Sequence, residues 1–332
     1  MVKEAKFYSK LKGDAVKCEL CPHFCVLRND GIGKCRVRQN KNGKLIALSY
    51  GKPCSISLDP IEKKPLFHFL PGKLAYSLAT PGCNLSCLNC QNADISQVGV
   101  DSVISTNISP EKIIEDAKGK AEIIAYTFTE PTIFYEYVSD IAKLSKGMKN
   151  ITVTNGFINP KPLESLSLLI DASNIDLKSI NDKFYREVCG GRVDPVLEAI
   201  KIMHERRIWI ELTNLIIPGL NDSISDISKL IRWVRDNLGE DVPLHFTAFS
   251  PTYKLLNSPS TSLNTLKRAR KIAMDAGLRY VYTGNLADNE GENTYCPKCN
   301  KIVIKRSGFR VIENNLKFGK CQCGEKIPGV WE

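Results

Sequence analysis

The sequence predicts an α/β protein built on a parallel sheet, and three observations carry that prediction. From residue 73 onward, six short apolar segments typical of strands alternate with helical stretches. A strand, a helical crossover and a further strand in repeated order favour a parallel sheet with right-handed connections. Polar residues also accumulate where the predicted strands end. Ligands bind at the carboxyl ends of the strands in such sheets, so we expect the functional site at that edge.

The predicted strands are apolar and end at polar or turn-forming residues. They cover residues 73–78, 122–128, 151–154, 170–175, 208–216 and 243–247. The predicted helices cover residues 109–118, 132–146, 194–205, 222–237 and 262–276. Ser109 followed by Pro110 is typical of a helix start. Periodicity alone does not distinguish an open sheet from a closed barrel.

The loop after the first predicted strand holds a cysteine triplet. Cys83, Cys87 and Cys90 follow the spacing C-x3-C-x2-C, so one loop can fold three thiolates around one metal centre. Structural zinc sites and ordinary [4Fe-4S] clusters take four protein ligands, so a triplet uses a distant fourth ligand or leaves one position open. At an open iron, S-adenosylmethionine could chelate and be cleaved reductively. A zinc site with a remote ligand is the alternative.

Eight of the other cysteines form two outer sets, and clustered thiols in a long chain favour metals over disulfides. The N-terminal quartet is Cys18, Cys21, Cys25 and Cys35, for which zinc, an auxiliary [4Fe-4S] cluster or unligated thiols are open. The tail quartet is Cys296, Cys299, Cys321 and Cys323, which is typical of a zinc ribbon, with an auxiliary cluster as the alternative. We therefore predict a metal module and entrance segment at 1–72, the main domain at 73–290 and a zinc-ribbon-like module at 291–332. Within the first, residues 59–69 form the entrance segment, expected to be a loop across the entrance to the main domain, where His68 could touch a substrate or pack beside Phe67 and Phe69.

Composition sets limits on partners and location. The 332 residues are 43% hydrophobic and 25% charged, values typical of a soluble protein. No apolar run approaches a membrane span and the start lacks a signal-peptide core, so a cytoplasmic protein without a membrane partner is predicted. The net charge of +10 is compatible with nucleic acid, but no block of like charges occurs, which favours a dispersed basic surface.

The cysteine spacing resembles that of the radical S-adenosylmethionine (radical SAM) superfamily, and longer stretches resemble one family within it. That family comprises the AmmeMemoRadiSam-system radical enzymes, related to the activating enzymes of pyruvate formate-lyase. The matching stretches are residues 18–23, 59–66, 82–96, 126–131 and 293–331. The resemblance implies a partial (β/α)6 TIM-type barrel, a [4Fe-4S] cluster on Cys83, Cys87 and Cys90, and S-adenosylmethionine as cofactor. It also implies a reducing electron donor and a complex with the system's two other protein types.

The resemblance also implies residues that contact S-adenosylmethionine. Glu130 stands where relatives have the strand end Gly-Gly-Glu-Pro, although Phe128 and Thr129 replace both glycines here. The other matching positions are Asn155, Asp176, Lys178 and His245. Asn89 occupies the position before the third cysteine, where an aromatic residue is common. Cys189 is either a hydrogen donor or radical site, or a plain buried thiol.

The favoured function is hydrogen abstraction by a 5′-deoxyadenosyl radical from a substrate that the sequence does not identify. An activating-enzyme-like role would make that substrate a protein backbone or side chain. An RNA-modifying radical enzyme is an alternative in the same class. In a different class, the chain could be a non-enzymatic zinc-binding adaptor.

Overall fold

A computed structural model describes every residue from Met1 to Glu332. The chain begins with two small antiparallel sheets. The first sheet consists of β1 (Tyr8–Lys10), β2 (Val16–Cys18) and β3 (Val26–Leu27). The second is a hairpin of β4 (Arg38–Lys41) and β5 (Lys44–Ala47). Asn42 and Gly43 both have positive φ at its turn, the conformation that a two-residue Asn-Gly hairpin requires.

Eight strands form the main sheet. They are β6 (Ser55–Pro60), β7 (Leu74–Ala79), β8 (Ile123–Tyr126), β9 (Lys149–Thr154), β10 (Ala172–Asp176), β11 (Trp209–Ile216), β12 (Leu244–Ala248) and β13 (Val281–Gly284). Their order in space follows the chain, and the two edge strands do not pair with each other. β6 is antiparallel to β7, whereas the other neighbours are parallel. The predicted α/β fold with a parallel sheet is confirmed, and the open sheet is consistent with a partial barrel.

The sheet is wider than predicted, because β6 and β13 were not expected. β6 lies in residues 1–72, so part of that predicted unit pairs with the main sheet. Its apolar side chains Ile56 and Leu58 are exposed, so they do not mark a buried face from which the strand could be predicted. The predicted boundaries at residues 72 and 290 stay a prediction.

Helices connect the strands along one face. They are α1 (Ala93–Ser96), α2 (Pro110–Ala117), α3 (Tyr135–Leu144), α4 (Pro160–Ser167), α5 (Asp182–Phe184), α6 (Asp194–Glu205), α7 (Ile224–Leu238) and α8 (Leu263–Asp275). Short 3-10 turns occur at Ile61–Lys63, Val100–Ser102 and Pro131–Phe134, and a π-helical turn at Tyr185–Cys189. Ser109 caps α2 by accepting from Lys112 N, as expected. None of the helices combines the length and apolar character that a membrane crossing needs.

The two faces of the sheet are covered differently. Strand residues such as Ile175 and Leu212 pack with helix residues such as Val196 and Leu230 in the largest apolar cluster. The alternate strand residues, including Ile151, pack instead with side chains of the entrance segment. Because side chains alternate along a strand, one face meets the helices and the other forms the interior of the barrel.

The later part of the entrance segment, residues 66–69, lies within this interior. Glu211 of β11 accepts hydrogen bonds from the backbone N–H groups of Phe67 and His68 at 2.9 and 2.7 Å. Asn174 of β10 donates to the carbonyl oxygen of Pro65 at 2.8 Å. Buried polar groups must find partners, and the backbone of this segment supplies them. The later part of the segment therefore packs inside the barrel, whereas Lys63, Lys64 and Pro65 line the cavity at the strand ends. The predicted loop across the entrance stays a prediction.

The tail adds a small antiparallel sheet of β14 (Thr294–Tyr295), β15 (Ile302–Ser307) and β16 (Arg310–Asn314). Arg306 of β15 is buried and donates to the Phe67 carbonyl oxygen at 2.7 Å and to Thr294 Oγ1 at 2.9 Å. Its Nε lies 3.7 Å from Glu62. This arginine joins the tail to the entrance segment, so both together close the interior of the barrel.

Candidate active site

A cavity of about 530 Å³ opens at the carboxyl ends of the parallel strands. All three cysteines of the triplet line it, together with strand-end residues of the central strands. Of the residues predicted to contact S-adenosylmethionine, the cavity is lined by Glu130, Asn155, Asp176 and Lys178. The structure therefore brings the cysteine triplet and four predicted polar residues to one place.

The loop that carries the triplet is held from two sides. The N–H groups of Ser86 and Leu88 donate to the carbonyl oxygens of Cys189 and Val188, each at 2.9 Å. These acceptors belong to the π-helical turn, a type of irregularity that is frequent at functional sites. On the other side, Gly82 N donates to the Ile95 carbonyl oxygen at 2.9 Å. The loop is thus positioned by backbone bonds that no cysteine spacing reveals.

Polar groups surround the sulfur atoms of the triplet. Leu85 N lies 3.4 Å and Asn155 Nδ2 lies 3.7 Å from Cys83 Sγ, and both are donors. Ser96 Oγ lies 3.0 Å from Cys90 Sγ. Burial, followed by the charge of Glu130, raises the pKa of Cys83 well above its usual value. A thiolate there needs the positive charge of a metal centre and these donors to be stable.

Glu130 is buried, and its carboxylate accepts hydrogen bonds from residues that end or follow two neighbouring strands. Its Oε1 accepts from Thr132 N, Thr132 Oγ1 and Thr154 Oγ1 at 2.9, 2.6 and 2.7 Å. Its Oε2 accepts one bond, from Asn155 N at 2.8 Å. Burial raises the pKa of Glu130, and these hydrogen bonds offset part of the rise. Since a carboxylate oxygen accepts about two bonds, Oε2 keeps capacity for one donor from the cavity.

The turn before Glu130 has a backbone conformation that favours glycine, although no glycine is present there. Phe128 has φ of +63°, the left-handed conformation that side chains disfavour. The Phe128 carbonyl oxygen accepts a hydrogen bond from Asn92 Nδ2 at 2.8 Å. Lys64 Nζ lies 4.3 Å from the centre of the Phe128 ring. The backbone of this turn therefore has the positive φ suited to glycine, although both glycines of the related motif are absent.

Asp176 and Lys178 form an ion pair at the end of β10, with Nζ 2.9 Å from Oδ2. Burial disfavours the charged lysine, but the nearby Asp176 and Cys87 outweigh it and raise the pKa of Lys178. Lys178 is therefore a cation that stands beside the cysteine triplet. Asn155, in contrast, is fully engaged, because its Nδ2 donates to Asn84 Oδ1 at 2.9 Å and its Oδ1 accepts from Phe157 N at 2.8 Å.

The structure does not bring His245 or Cys189 to the cavity. His245 is 3% exposed and its Nε2 lies 2.7 Å from Glu211 Oε2, inside the barrel below the strand ends. Thr247, two residues later on the same face of β12, lines the cavity instead. Cys189 is fully buried, and contact with Cys87 together with burial raises the pKa of its thiol. His68 likewise packs in the interior, bonded to Tyr282.

Several lining residues were missed by the sequence analysis as site residues. They are Lys63, Lys64, Phe128, Thr213, Thr247, Asn285 and Phe309. Strand alternation could have found Thr213 and Thr247, because both stand on the interior face. Thr213 is level with Asp176, the last residue of β10, and Thr247 is near the end of β12. No local signal marks Phe309, which lies at the tip of the β15 and β16 hairpin, more than two hundred residues from the triplet.

Asn89 also lines the cavity, and it leaves an acceptor without a partner. Its Oδ1 is buried and makes no hydrogen bond. Buried polar atoms are almost always paired, so an acceptor left unpaired on a residue that lines the cavity is a sign of a missing ligand. The donor set on the cavity wall therefore fits a cluster on three thiolates beside a polar organic cofactor.

The tail quartet has a different geometry. All four Sγ atoms lie within 4.8 Å of one another, with Cys296 to Cys323 at 3.5 Å and Cys299 to Cys321 at 3.6 Å. Tetrahedral zinc with bonds of about 2.3 Å places its sulfur ligands about 3.8 Å apart. A single ion fits this quartet.

Comparisons with known proteins agree with this geometry. A family model described as the radical SAM superfamily matches residues 77–234. An uncharacterized protein of Methanocaldococcus jannaschii is 46% identical over 99% of this chain and 100% of its own length. The chain belongs to the radical SAM superfamily. Enzymes of this superfamily cleave S-adenosylmethionine reductively through a [4Fe-4S] cluster, and they need an electron donor and a substrate.

More distant proteins resemble this radical SAM chain over part of its length. A probable GTP 3',8-cyclase of Methanosarcina acetivorans is 26% identical, covering 60% of this chain and 59% of its own. A radical SAM methyltransferase structure from Sphaerobacter thermophilus superimposes with a TM-score of 0.51 at 13% identity, covering 86% of this chain and 78% of that one. This likeness supports the fold alone.

Proposed function

We propose that this enzyme binds a [4Fe-4S] cluster and S-adenosylmethionine in the cavity and abstracts hydrogen from a substrate held over them, in the manner of an activating enzyme. The observation that carries the proposal is the convergence of Cys83, Cys87 and Cys90 with Glu130 and Lys178 on one cavity wall. When bound, the cluster supplies the electron that cleaves S-adenosylmethionine to methionine and a 5′-deoxyadenosyl radical.

In this proposal the three thiolates hold the cluster and the chain supports each of them. The N–H of Leu85 and the amide of Asn155 donate toward Cys83, while Ser96 lies beside Cys90. Hydrogen bonds to ligand sulfurs stabilise their negative charge and tune the reduction potential of a cluster. Asn155 thereby serves the cluster ligand rather than a ribose hydroxyl, which differs from the role that the family resemblance implies.

The polar strand ends suit the methionine and ribose parts of the cofactor. The free capacity of Glu130 Oε2 is complementary to an ammonium group, and the cationic Lys178 is complementary to a carboxylate. Asp176 lies beside them and can accept from ribose hydroxyls. Each group is already oriented by hydrogen bonds within the protein, so little conformational freedom is lost on binding.

Adenine recognition in this proposal uses Asn89. Its unpartnered Oδ1 can accept a hydrogen bond from the exocyclic amino group of adenine. This would replace the aromatic contact expected from relatives with a polar one. The acceptor would reject a purine that lacks the amino group, because the Asn89 oxygen would then stay buried without a partner.

The remaining part of the cavity would receive the substrate. It is bordered by Lys63, Lys64 and Phe128 on the entrance side and by Phe309 at the hairpin tip. Phe309 is 49% exposed, so its ring is available to a bound partner. An exposed aromatic residue at a cavity mouth supports a protein substrate, in line with the resemblance to AmmeMemoRadiSam-system enzymes. For the tail quartet we propose a structural zinc ion that supports this hairpin.

The proposal is tested by reducing anaerobically purified protein in the presence of S-adenosylmethionine and measuring 5′-deoxyadenosine. We expect product from the parent protein, background levels from Cys87→Ala and parent levels from Cys54→Ala. Cys54 is the matched control because it lies outside all three cysteine sets. Absence of product from an iron-loaded parent protein, or equal product from Cys87→Ala, would exclude the proposed chemistry.

A further inference from the structure

Two lysines of the entrance segment share one carboxylate. Asp59, near the end of β6, accepts from Lys63 Nζ through Oδ1 and from Lys64 Nζ through Oδ2, each at 2.8 Å. Ser57 Oγ also donates to Oδ2, at 2.6 Å. Burial alone would raise the pKa of Asp59, but the two lysines outweigh it and lower the pKa, so the group is ionised. One carboxylate between two ammonium groups leaves a surplus of one positive charge.

Lys64 is buried although it carries a charge. It is 1% exposed, and its Nζ makes one hydrogen bond, to Asp59. The ring of Phe128, whose centre lies 4.3 Å away, attracts the cation. Burial still lowers the pKa of Lys64 from 10.5 to about 8, because Asp59 offsets only part of the cost of removing the charge from water. An ammonium group has three N–H donors, so one donor of Lys64 has no acceptor in the protein.

Both lysines lie on the wall of the large cavity. They line it together with Phe128, whose ring centre is 6.0 Å from Lys63 Nζ. The positive φ of Phe128 is strained, and strain of this kind persists only where the surroundings hold it. The four cysteines of the N-terminal quartet line a separate cavity, so they add no charge here. An aromatic face and a surplus positive charge therefore meet at one wall.

The charges of this wall are the reverse of those at the proposed cofactor site. There, Glu130 and Asp176 place two carboxyl groups beside one ammonium group, that of Lys178. On the entrance side, one carboxylate stands beside two ammonium groups. Charges interact more strongly in a partly buried site than in water. An anion that enters the cavity is therefore favoured at the lysine pair and disfavoured at Glu130.

We propose that Lys64, with Lys63 beside it, binds a carboxylate of the protein substrate. The free N–H of Lys64 donates to one carboxylate oxygen, and the surplus charge stabilises the bound group. Either an acidic side chain or a chain end supplies this carboxylate. The inference rests on the proposed function, which puts the substrate in this part of the cavity. Binding forms no covalent bond and transfers no proton or electron.

A carboxylate fits this wall better than the phosphodiester of a nucleic acid. Each carries one negative charge, which equals the surplus. A carboxylate stands at the end of a flexible side chain or of the chain itself, so it can enter a cavity alone. A phosphodiester lies within a backbone and enters only with the sugars on both sides. Lys64, at 1% exposed, lies too deep for a backbone that passes over the surface.

Calorimetric titration of iron-loaded protein at constant ionic strength tests the site with small probes. N-acetylglutamic acid α-amide carries a carboxylate, and N-acetylglutamine amide is its uncharged match. We expect the acid to bind about 10-fold more tightly, because the uncharged probe lacks a charge-assisted hydrogen bond. N-acetylalanine represents a chain end, and the tighter of the two carboxylate probes identifies the source. Dimethyl phosphate represents a phosphodiester.

Three variants change the charge of the wall in a graded way. Lys64→Met removes the donor and the surplus, so it should abolish the preference for the acid. Lys63→Met removes the surplus alone and should reduce the preference about threefold. Asp59→Asn keeps both lysines and should strengthen the preference. Lys73→Met is the matched control and should behave as the parent, because Lys73 also pairs with a carboxylate but lies outside the cavity.

Unfolding by urea separates a binding role of Lys64 from a purely structural one. Lys64→Met leaves Asp59 bonded to Lys63 and Ser57 and removes a buried charge, so we expect stability equal to or greater than that of the parent. A destabilised Lys64→Met variant that keeps the preference for the acid would overturn the proposal. Equal binding of acid and amide by the parent, or tighter binding of dimethyl phosphate, would overturn it as well.

The outcomes also separate this inference from the proposed function, because the same variants enter the 5′-deoxyadenosine assay. If the parent forms product but shows no preference for the acid, only this inference fails. If the parent prefers the acid through Lys64 but forms no product, the carboxylate site stands and the enzymatic proposal fails. Loss of S-adenosylmethionine binding in Lys64→Met would assign the lysine to the cofactor and overturn the inference.

Discussion

The cysteine triplet and the tail quartet offer the same sulfur ligands in contrasting surroundings. The tail sulfurs lie within 4.8 Å of one another, and Cys323 is exposed. The triplet faces a cavity of about 530 Å³ that Glu130 and Lys178 also line. Four close sulfurs complete a tetrahedral shell and leave no position for a further ligand, whereas three beside a polar cavity do. These surroundings, more than the number of thiols, are the basis for proposing a structural centre in the tail and a reactive centre at the triplet.

The two regions are nevertheless physically connected. The tail hairpin carries Arg306, which bonds to the entrance segment inside the barrel, and Phe309, which reaches the cavity. Pro328 of the tail accepts from His68 in the same interior. The metal ion that we propose at the tail quartet would therefore support the wall of a cavity that it does not touch.

The largest expected effect is that variants of the triplet and of the tail quartet lose different metals, and that only the triplet variant loses activity. Cys90→Ala should lower 5′-deoxyadenosine formation by about 1,000-fold or more, because the electron source is lost, and should leave zinc content unchanged. Cys323→Ala should lose about one zinc ion per chain and keep its iron. Metal analysis and product assays on both variants check this. Loss of zinc from Cys90→Ala would contradict the comparison.

The tail quartet is expected to matter chiefly for stability. Cys299→Ala should lower the free energy of unfolding by about 3 kcal/mol, because metal binding is coupled to the folding of such modules. Urea unfolding measures the loss, and limited proteolysis should show new cleavage beyond residue 290. Cys54→Ala serves as the control for removal of a thiol that is in no set. Unchanged stability after zinc loss would show that the tail folds without metal.

The contact between the tail and the interior should depend on pH through His68. Burial lowers the pKa of His68 from 6.5 to about 4. Its Nδ1 lies 2.7 Å from the Pro328 carbonyl oxygen, to which it must donate, so Nε2 accepts from Tyr282 Oη at 2.5 Å. Between pH 6.5 and pH 4 the unfolded chain binds a proton that the folded chain does not, so stability falls as pH falls.

At pH 5 this loss should amount to about 2 kcal/mol relative to pH 7. His68→Gln removes the titrating ring and should reduce the difference between the two pH values by that amount. Unfolding by urea at both pH values, with metal content held constant, measures it. The same pH difference in parent and variant would assign the effect to another group.

The smallest expected effect concerns the backbone of the cavity wall. Phe128 has φ of +63°, where glycine is unstrained and alanine is not. Phe128→Gly should therefore be more stable than Phe128→Ala by about 1 kcal/mol, although both lose the ring beside Lys64. Thermal unfolding of the two variants measures the difference. Equal stability would mean that the turn relaxes when the ring is removed.

The sequence allowed part of the site to be predicted because that part follows periodic rules. Strand ends in a parallel sheet meet at one edge, so Glu130, Asp176 and Lys178 were expected near the triplet, and they line the same cavity. The same rule does not predict how far a residue lies from the end of its strand, and therefore whether it reaches the cavity. His245 lies one residue into β12 and pairs with Glu211, while Thr247 lies near the end of that strand and lines the cavity.

Other parts of the site depend on contacts between distant segments. Residues 59–69 have no clear periodicity, and their position inside the barrel depends on Asn174 and Glu211, which need buried partners. Phe309 reaches the cavity because Arg306, in the same hairpin, is bound to the entrance segment. Neither contact has a local signature, since each joins residues more than a hundred positions apart.

The amino-acid sequence by itself determined the α/β class, the six central strands and the grouping of cysteines into three sets, because these features arise from local periodicity and spacing. Only the tertiary structure decided that the four tail sulfurs come close enough for one ion and that the triplet faces a large cavity. It also decided that Asn89 leaves a buried acceptor free. Distances between sulfurs and the pairing of buried atoms depend on how separate segments pack, and spacing along the chain does not contain that information.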